Sequence, residues 1–309
     1  MKVIFMGTPE FAVPTLKRLH DKGHEVMLVV TQPDKPSGRG KRLKKSEVKV
    51  AAEELGLPVF QPEKIKSREN IDVLKEYNPD VIVVVAYGQI LNKEILELPR
   101  YGCINVHASL LPELRGAAPL NWAIINGEEK TGVTTMKMDT GLDTGDMLLK
   151  AEVEIGKEMN AGELHDILMH TGAVLLTDTL DKLEKDELIP EKQQDSVSYY
   201  APMLDNENRR ISWDTEARNI HNLIRGLSPW PGAYFIMDDK KIKVYESGYK
   251  VEKNDCRPGY VIKADSSGIY VAAGEGTVIL KEIQMPGKNK MKIEAYLRGN
   301  KFPENVVLN

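Results

Sequence analysis

Apolar positions in the first ninety residues fall into short unbroken runs separated by stretches that are apolar only every third or fourth position. The runs at residues 3–6, 26–30 and 81–85 have the length of buried strands, whereas residues 11–19, 48–55 and 71–74 carry the helical period. Strands alternating with helices predict βαβ units, so the fold class is α/β, a doubly wound parallel sheet. Further strands are expected at residues 103–106 and 133–138, and a long amphipathic helix over residues 161–183.

The pattern then changes. A polar stretch at residues 193–198, Pro202 and residues 205–208 has the composition of a linker. Beyond it, residues 217–224 look helical, and short alternating runs at 233–236, 242–245, 259–262, 269–272 and 278–283 predict a smaller β-rich, barrel-like domain. The expected division is a first domain over residues 1–189, a linker over 190–207 and a second domain over 208–309.

With 41% hydrophobic and 28% charged residues in 309, the chain can bury real cores, which excludes a disordered or fibrous protein. Cys103 and Cys256 lie far apart with no Cys-x-x-Cys or Cys/His cluster, so neither a disulfide nor a metal is expected. The apolar run at the N-terminus is too short for a signal peptide, and no stretch approaches the roughly 20 apolar residues needed to cross a bilayer. A cytoplasmic protein that does not enter membranes is the expectation. The net charge of -4 hides an asymmetry: residues 206–309 hold 17 Lys and Arg against 13 Asp and Glu, giving +4, which leaves -8 for residues 1–205.

In open α/β sheets ligands bind outside the carboxyl ends of the strands, so the turns after strands are where chemistry is sought. Gly7-Thr8-Pro9-Glu10 suggests a tight strand-to-helix turn, with Thr8 as N-cap and Pro9 at the first helical position. Along the strand Ile104-Asn105-Val106-His107, alternation puts Asn105 and His107 on one face. An amide donor beside an imidazole there can stabilise an oxygen that gains negative charge while a proton is handled, which is what acyl transfer needs. The loop from Asp139 to Asp146 carries three carboxylates among glycines, one of which can orient His107. Taken singly, Asn105 and His107 could equally serve a turn, and the Asp/Gly loop could be a solvated turn or a cation loop; the latter lacks the rest of an EF-hand pattern.

Residues 31–46 form a long connection with six cations, Lys35, Arg39, Lys41, Arg42, Lys44 and Lys45. At the ligand edge of a sheet, such a loop with Gly38 and Gly40 can close on a phosphate backbone, although a charge run is also how an ordinary solvated loop looks. Arg209, Arg210, Lys240, Lys241, Lys243, Lys288, Lys290 and Lys292 offer further cations in the second domain. Trp213 and Trp230 are expected to be packing anchors.

The pairing of Asn105-x-His107-x-Ser109-Leu110-Leu111-Pro112 with Gly141-x-Asp143-Thr144-Gly145 resembles the folate-dependent formyltransferases. Within that family, Gly7 to Ala12, Ala86 to Leu91, Arg115 to Pro119 and Leu227 to Gly232 are similar to the branch that acts on methionine-charged initiator tRNA, and the resemblance runs essentially the whole length. It implies a Rossmann-like domain that binds 10-formyltetrahydrofolate and performs catalysis, then an OB-like barrel that helps hold tRNA. By the same resemblance Asn105, His107 and Asp143 are the catalytic trio. Ser109, Leu110, Leu111 and Pro112 form a wall of the folate pocket, with Tyr87, Gly88, Gln89 and Ile90 at the pterin. The tRNA-contacting residues would be Arg39, Lys41, Arg42, Lys44 and Lys45. Folate is a cosubstrate, no metal is implied, and a monomer is adequate. Glu113 departs from the pattern, where a basic or neutral residue is expected, which weakens any phosphate site there.

Four rivals share parts of this pattern. A dinucleotide-binding oxidoreductase needs G-x-G-x-x-G, which Gly7 to Ala12 lacks. An amino-sugar formyltransferase or a formyltetrahydrofolate hydrolase would share the trio, but neither calls for the basic loop and second domain. A non-catalytic RNA-binding protein would leave the trio unexplained.

Overall fold

The computed structural model describes residues 1–37, 42–194, 199–252 and 254–309. The chain divides into two compact units: residues 1–116, 131–153 and 165–200 in one, and residues 117–130, 154–164 and 201–309 in the other.

The first unit is built on seven strands, β1 (Lys2–Gly7), β2 (Glu25–Val30), β3 (Val59–Phe60), β4 (Val81–Val85), β5 (Cys103–His107), β6 (Lys130–Lys137) and β7 (Met147–Glu154). Their order across the sheet is β3-β2-β1-β4-β5-β6-β7. The five from β3 to β5 are parallel and β6 runs antiparallel to β5, so the sheet is mixed rather than wholly parallel. Strand β7 escaped the sequence pattern because its residues alternate between half-buried and exposed, with only Met147 fully buried. By contrast β1 and β4 are covered on both faces, which is why they appear in the sequence as unbroken apolar runs.

The helices are α1 (Val13–Asp21), α2 (Glu47–Glu54), α3 (Arg68–Glu76), α4 (Lys93–Leu96), α5 (Pro119–Ile125), α6 (Ala161–Glu184), α7 (Ala217–Gly226) and α8 (Ile293–Leu297). On one face of the sheet Ile4, Met6, Leu28, Val30, Ile82, Val84 and Cys103 pack against Ile71 and Leu74 of α3 and Ile95 and Leu96 of α4. On the other, α6 lies so close to β5 that a Cβ on Gly172 would meet Val106 Cγ1 at 2.9 Å. Its Thr179 Oγ1 lies 2.8 Å from Thr135 Oγ1 of β6. Burial of Cys103 pushes its thiol up to about 12, so it is a protonated core group.

From β1 the chain runs outward through β2 and β3, then returns to β4 and proceeds the other way through β5. The reversal between β1 and β4 is a topological switch point, where the crevice of such sheets opens.

Two local expectations are corrected here. Thr8 does not cap a helix: Pro9 precedes a single 3-10 turn, Glu10–Ala12, and Thr8 Oγ1 instead donates to Tyr87 O at 2.8 Å, tying the turn after β1 to the turn after β4. The long basic connection contains a short antiparallel hairpin, Lys35–Ser37 with Arg42–Lys44, and α2 then starts at Ser46, whose Oγ accepts from Lys49 N.

The second unit holds an antiparallel sheet of β8 (Ala233–Met237), β9 (Lys240–Lys250), β10 (Val261–Asp265), β11 (Gly268–Ala272), β12 (Thr277–Gln284) and β13 (Met291–Lys292). The order is β8-β9-β12-β11-β10, with β13 also on β12. Ile220 and Ile224 of α7 and Trp213 pack into its core with Phe235, Val244 and Leu280. Trp213 is thus the packing anchor expected; Trp230 is not, being 78% exposed, because Pro229 and Pro231 hold it in a turn rather than on the sheet.

His221 of α7 is buried, with Nδ1 3.0 Å from Ser247 Oγ, and burial holds its pKa below the ordinary 6.5. As pH falls below 6.5 the unfolded chain takes up a proton that the folded unit resists, so stability is lost from there downward. The slope is at most about 1.4 kcal/mol per pH unit. His221→Gln is expected to flatten the fall in the melting temperature of this unit between about pH 7 and about pH 5. Parallel falls in wild type and variant would show that His221 is not the group responsible.

Candidate active site

Strand β5 ends at the switch-point side of the sheet, and alternation puts Cys103, Asn105 and His107 on the face shared with α3 and α4. Cys103 closes the core there, and the two polar residues follow it toward the carboxyl end. The Asn105 side chain is half-buried and, among the described residues, its amide has no hydrogen-bond partner. It is therefore available to a ligand.

His107 is nearly inaccessible at 6% exposed, and both ring nitrogens face acceptors. Its Nε2 lies 3.1 Å from the carbonyl of Leu114, which can only accept, so this nitrogen carries the proton. Its Nδ1 lies 3.7 Å from Asp143 Oδ2. That is the separation of a charge contact rather than a hydrogen bond, so the carboxylate faces the ring without yet bonding it.

Asp143 is held from several directions. Its Oδ2 accepts from Gly116 N at 3.0 Å, and its backbone takes φ +53°, the left-handed region. Asp139 braces the same loop by accepting from Gly141 N at 2.9 Å and Thr144 Oγ1 at 2.7 Å. Gly145 has no room for a side chain: a Cβ would sit 1.8 Å from Lys137 O. The three loop carboxylates are thus distinct, with Asp139 structural and Asp143 the one at the imidazole.

The segment from Ser109 to Pro112 turns away from β5 with a cis Leu111–Pro112 peptide. Ser109 and Leu111 are buried; Ser109 Oγ donates to Glu113 O at 2.7 Å, and Thr134 Oγ1 of β6 donates to Ser109 O and accepts from Leu111 N. Ser109 is therefore spent on holding the turn in shape. Leu110 and Pro112 are partly exposed. Glu113 takes part through its backbone, its carbonyl accepting from Ser109 Oγ and its N–H donating to Leu110 O at 3.2 Å.

The turn after β4 is also backbone-led. Ala86 has φ +47° and Gly88 φ +88°, and the Tyr87 carbonyl accepts from Thr8 Oγ1 and from Gln32 Nε2 at 3.3 Å. The Tyr87 ring belongs to the core, and burial raises the pKa of its hydroxyl. Gln89 bonds Pro62 O and Ile65 N, while Ile90 is 83% exposed. Thr8 and Gln32, which shape this turn, carried no sequence signal of that role.

Of the basic loop, Arg39 and Lys41 lie outside the described residues. Arg42 opens the second strand of the hairpin, and Lys44 and Lys45 pair with Glu47 and Glu53 of α2, each at 2.7 Å. In the second unit Arg209 NH2 and Lys243 Nζ donate to Pro231 O and Lys290 Nζ to Pro229 O, and Lys290 sits 3.6 Å from the centre of the Tyr245 ring. Burial lowers the pKa of Lys243, and Arg209, Lys241 and Lys290 lower it further, so these cations form one positive cluster. Lys292 pairs with Glu246. Among the described residues no group of three or more His, Cys, Asp or Glu is arranged to hold a metal, and no helix is long and apolar enough to cross a membrane.

An amide, a histidine and a carboxylate thus stand together at the carboxyl edge of a Rossmann-like sheet. The chain belongs to the formyl transferase family: residues 1–180 match the formyl transferase family and residues 203–301 its C-terminal domain. A methionyl-tRNA formyltransferase of Clostridium novyi (strain NT) is 56% identical over 309 residues, covering 100% of both chains. Among solved structures, the sugar 3N-formyl transferase WlaRD, in the presence of dTDP and 5-N-formyl-THF, is 19% identical with a TM-score of 0.68, covering 94% of this chain and 99% of that one. HypX from Aquifex aeolicus in complex with tetrahydrofolic acid is 17% identical with a TM-score of 0.65. The match takes in 97% of this chain but only 47% of HypX. At these identities the two structures speak for the fold alone.

Proposed function

We propose that this protein moves the formyl group of 10-formyltetrahydrofolate to the amino group of methionine carried by initiator tRNA. The observation that carries the reading is the Asn105, His107 and Asp143 cluster in a chain 56% identical, end to end, to a methionyl-tRNA formyltransferase.

The amine of an aminoacyl ester is less basic than an ordinary α-amino group, whose pKa is about 7.7–8.0, so its neutral form is available near neutrality. Attack forms a C–N bond at the formyl carbon and leaves an oxyanion and an ammonium together. The Asn105 amide stabilises the oxyanion, with the His107 ring assisting. Asp143 takes the ammonium proton through water. The bond from carbon to the folate nitrogen then breaks, that nitrogen is protonated from the same network, and N-formylmethionyl-tRNA and tetrahydrofolate result.

The folate lies along the backbone of the turns at residues 86–90 and 109–112, which the switch point brings to one edge. On the tRNA side, Lys44 and Lys45 are exposed, and their pairs with Glu47 and Glu53 are of the weak, salt-screened kind that a phosphate can replace. Arg39, Lys41 and Arg42 would extend that contact. The cluster of Arg209, Lys241, Lys243 and Lys290, with exposed Trp230 nearby in sequence, suits a polynucleotide better than a small sugar. The enzyme acts in the cytoplasm, where charged tRNA and reduced folate are found, and one chain carries every group invoked, so a monomer suffices.

The test offers 10-formyltetrahydrofolate with methionine-charged initiator tRNA, free methionine or a nucleotide-linked amino sugar. A kcat/KM for the charged tRNA at least about a hundredfold above the others is expected. Preference for the sugar, or release of formate to water, would move the protein to a sister activity.

A further inference from the structure

We propose that Gln193, from the stretch with the composition of a linker, is a positioning residue for Asp143, and that Arg115 orients its amide. The inference rests on the formyl-transfer reading of the cluster above.

Gln193 Nε2 donates to the carbonyl of Asp143 at 2.8 Å and to that of Gly145 at 2.7 Å, so both amide hydrogens are used on the carboxylate loop. Its Oε1 accepts from Arg115 Nε at 2.8 Å. A guanidinium only donates and backbone carbonyls only accept, so the reversed amide would set like against like at all three contacts. Arg115 thereby fixes which way the amide points.

The residue is delivered by its own strap. Met147 and Glu191 exchange both backbone hydrogen bonds at 2.8 Å, holding the chain against the start of β7 two residues before Gln193. Arg115 is buried, and the next residue, Gly116, gives its N–H to Asp143 Oδ2. Residues 115 and 116 therefore hold Asp143 twice, once directly at the carboxylate and once through Gln193 at the carbonyl.

A clamp is needed because Asp143 takes a left-handed backbone that most side chains resist, and because its carboxylate stands 3.7 Å from His107 Nδ1. At that separation a small drift of the loop decides whether the carboxylate reaches the ring, and a misplacement of about 1 Å can cost about 10²-fold in rate.

The test compares full-length Gln193→Met and Gln193→Glu with wild type. Methionine keeps the length but removes the bonds to Asp143 O, Gly145 O and Arg115 Nε, together with the weak donation of Nε2 to Met136 Sδ at 4.0 Å. Glutamate keeps the acceptor for Arg115 and turns a carboxylate oxygen toward the two carbonyls. Both are expected to lower kcat about 10- to 100-fold with KM for folate and for charged tRNA within about twofold. Both should also move the ring ¹⁵N resonances of His107 while leaving those of His221 in place. Wild-type kcat with unmoved His107 resonances would overturn the proposal, as would activity lost only in proportion to folded protein. Should wild type transfer no formyl group to charged tRNA, the functional reading fails instead, and the His107 resonances of the variants still decide the role of Gln193.

Discussion

Asp143→Asn is expected to lower kcat by about 10³–10⁴ with the fold intact, a cost comparable to that of removing a carboxylate that orients a histidine elsewhere. Asparagine is the cleaner replacement. It tolerates the left-handed backbone found at φ +53°, keeps the volume, and its oxygen can still accept from Gly116 N. What it loses is the carboxylate charge opposite His107 Nδ1, and with it the route by which the ammonium proton leaves. Alanine would add backbone strain to the same chemical loss. Circular dichroism and steady-state kinetics on both variants check this; a fall in kcat of less than about tenfold for asparagine would mean that the carboxylate does not take part.

Asn105→Ala is expected to lower kcat by about 10²–10³ through loss of one aimed oxyanion donor. Its amide has no partner among the described residues, so truncation leaves no buried group orphaned and the melting temperature should hardly move. KM for the folate should stay near wild type, because the donor acts on charge that appears only after attack. A variant that instead binds folate poorly and turns over normally would assign Asn105 to ground-state binding.

How far the sequence reveals this depends on the kind of residue. Strands β1 and β4 are buried on both faces and therefore appear as plain apolar runs, whereas β7, with one half-buried and one exposed face, left no pattern. Asn105 and His107 are legible because a strand fixes their spacing. Asp143 is legible only as one of three loop acids, and it takes the fold to separate it from Asp139, which braces Gly141 and Thr144. Thr8, by its position, suggests a helix cap, yet the nearest acceptor is a carbonyl 79 residues away, on a turn that the parallel sheet brings alongside. Gln193 and Arg115 are further cases: contacts between residues 78 apart leave no periodicity to find. Trp230 shows the converse error, since apolarity suggested burial where two flanking prolines hold the indole out in a turn.

The most direct measurement follows one labelled formyl group. Enzyme in excess is mixed with ¹⁴C-formyl-labelled 10-formyltetrahydrofolate and methionine-charged initiator tRNA, quenched over a single turnover, and the amino-acid ester is hydrolysed. The label is expected to appear as N-formylmethionine faster than as formate, and the Asn105→Ala enzyme to slow this step by about 10²–10³. Label released as formate while the methionine stays unmodified would contradict it.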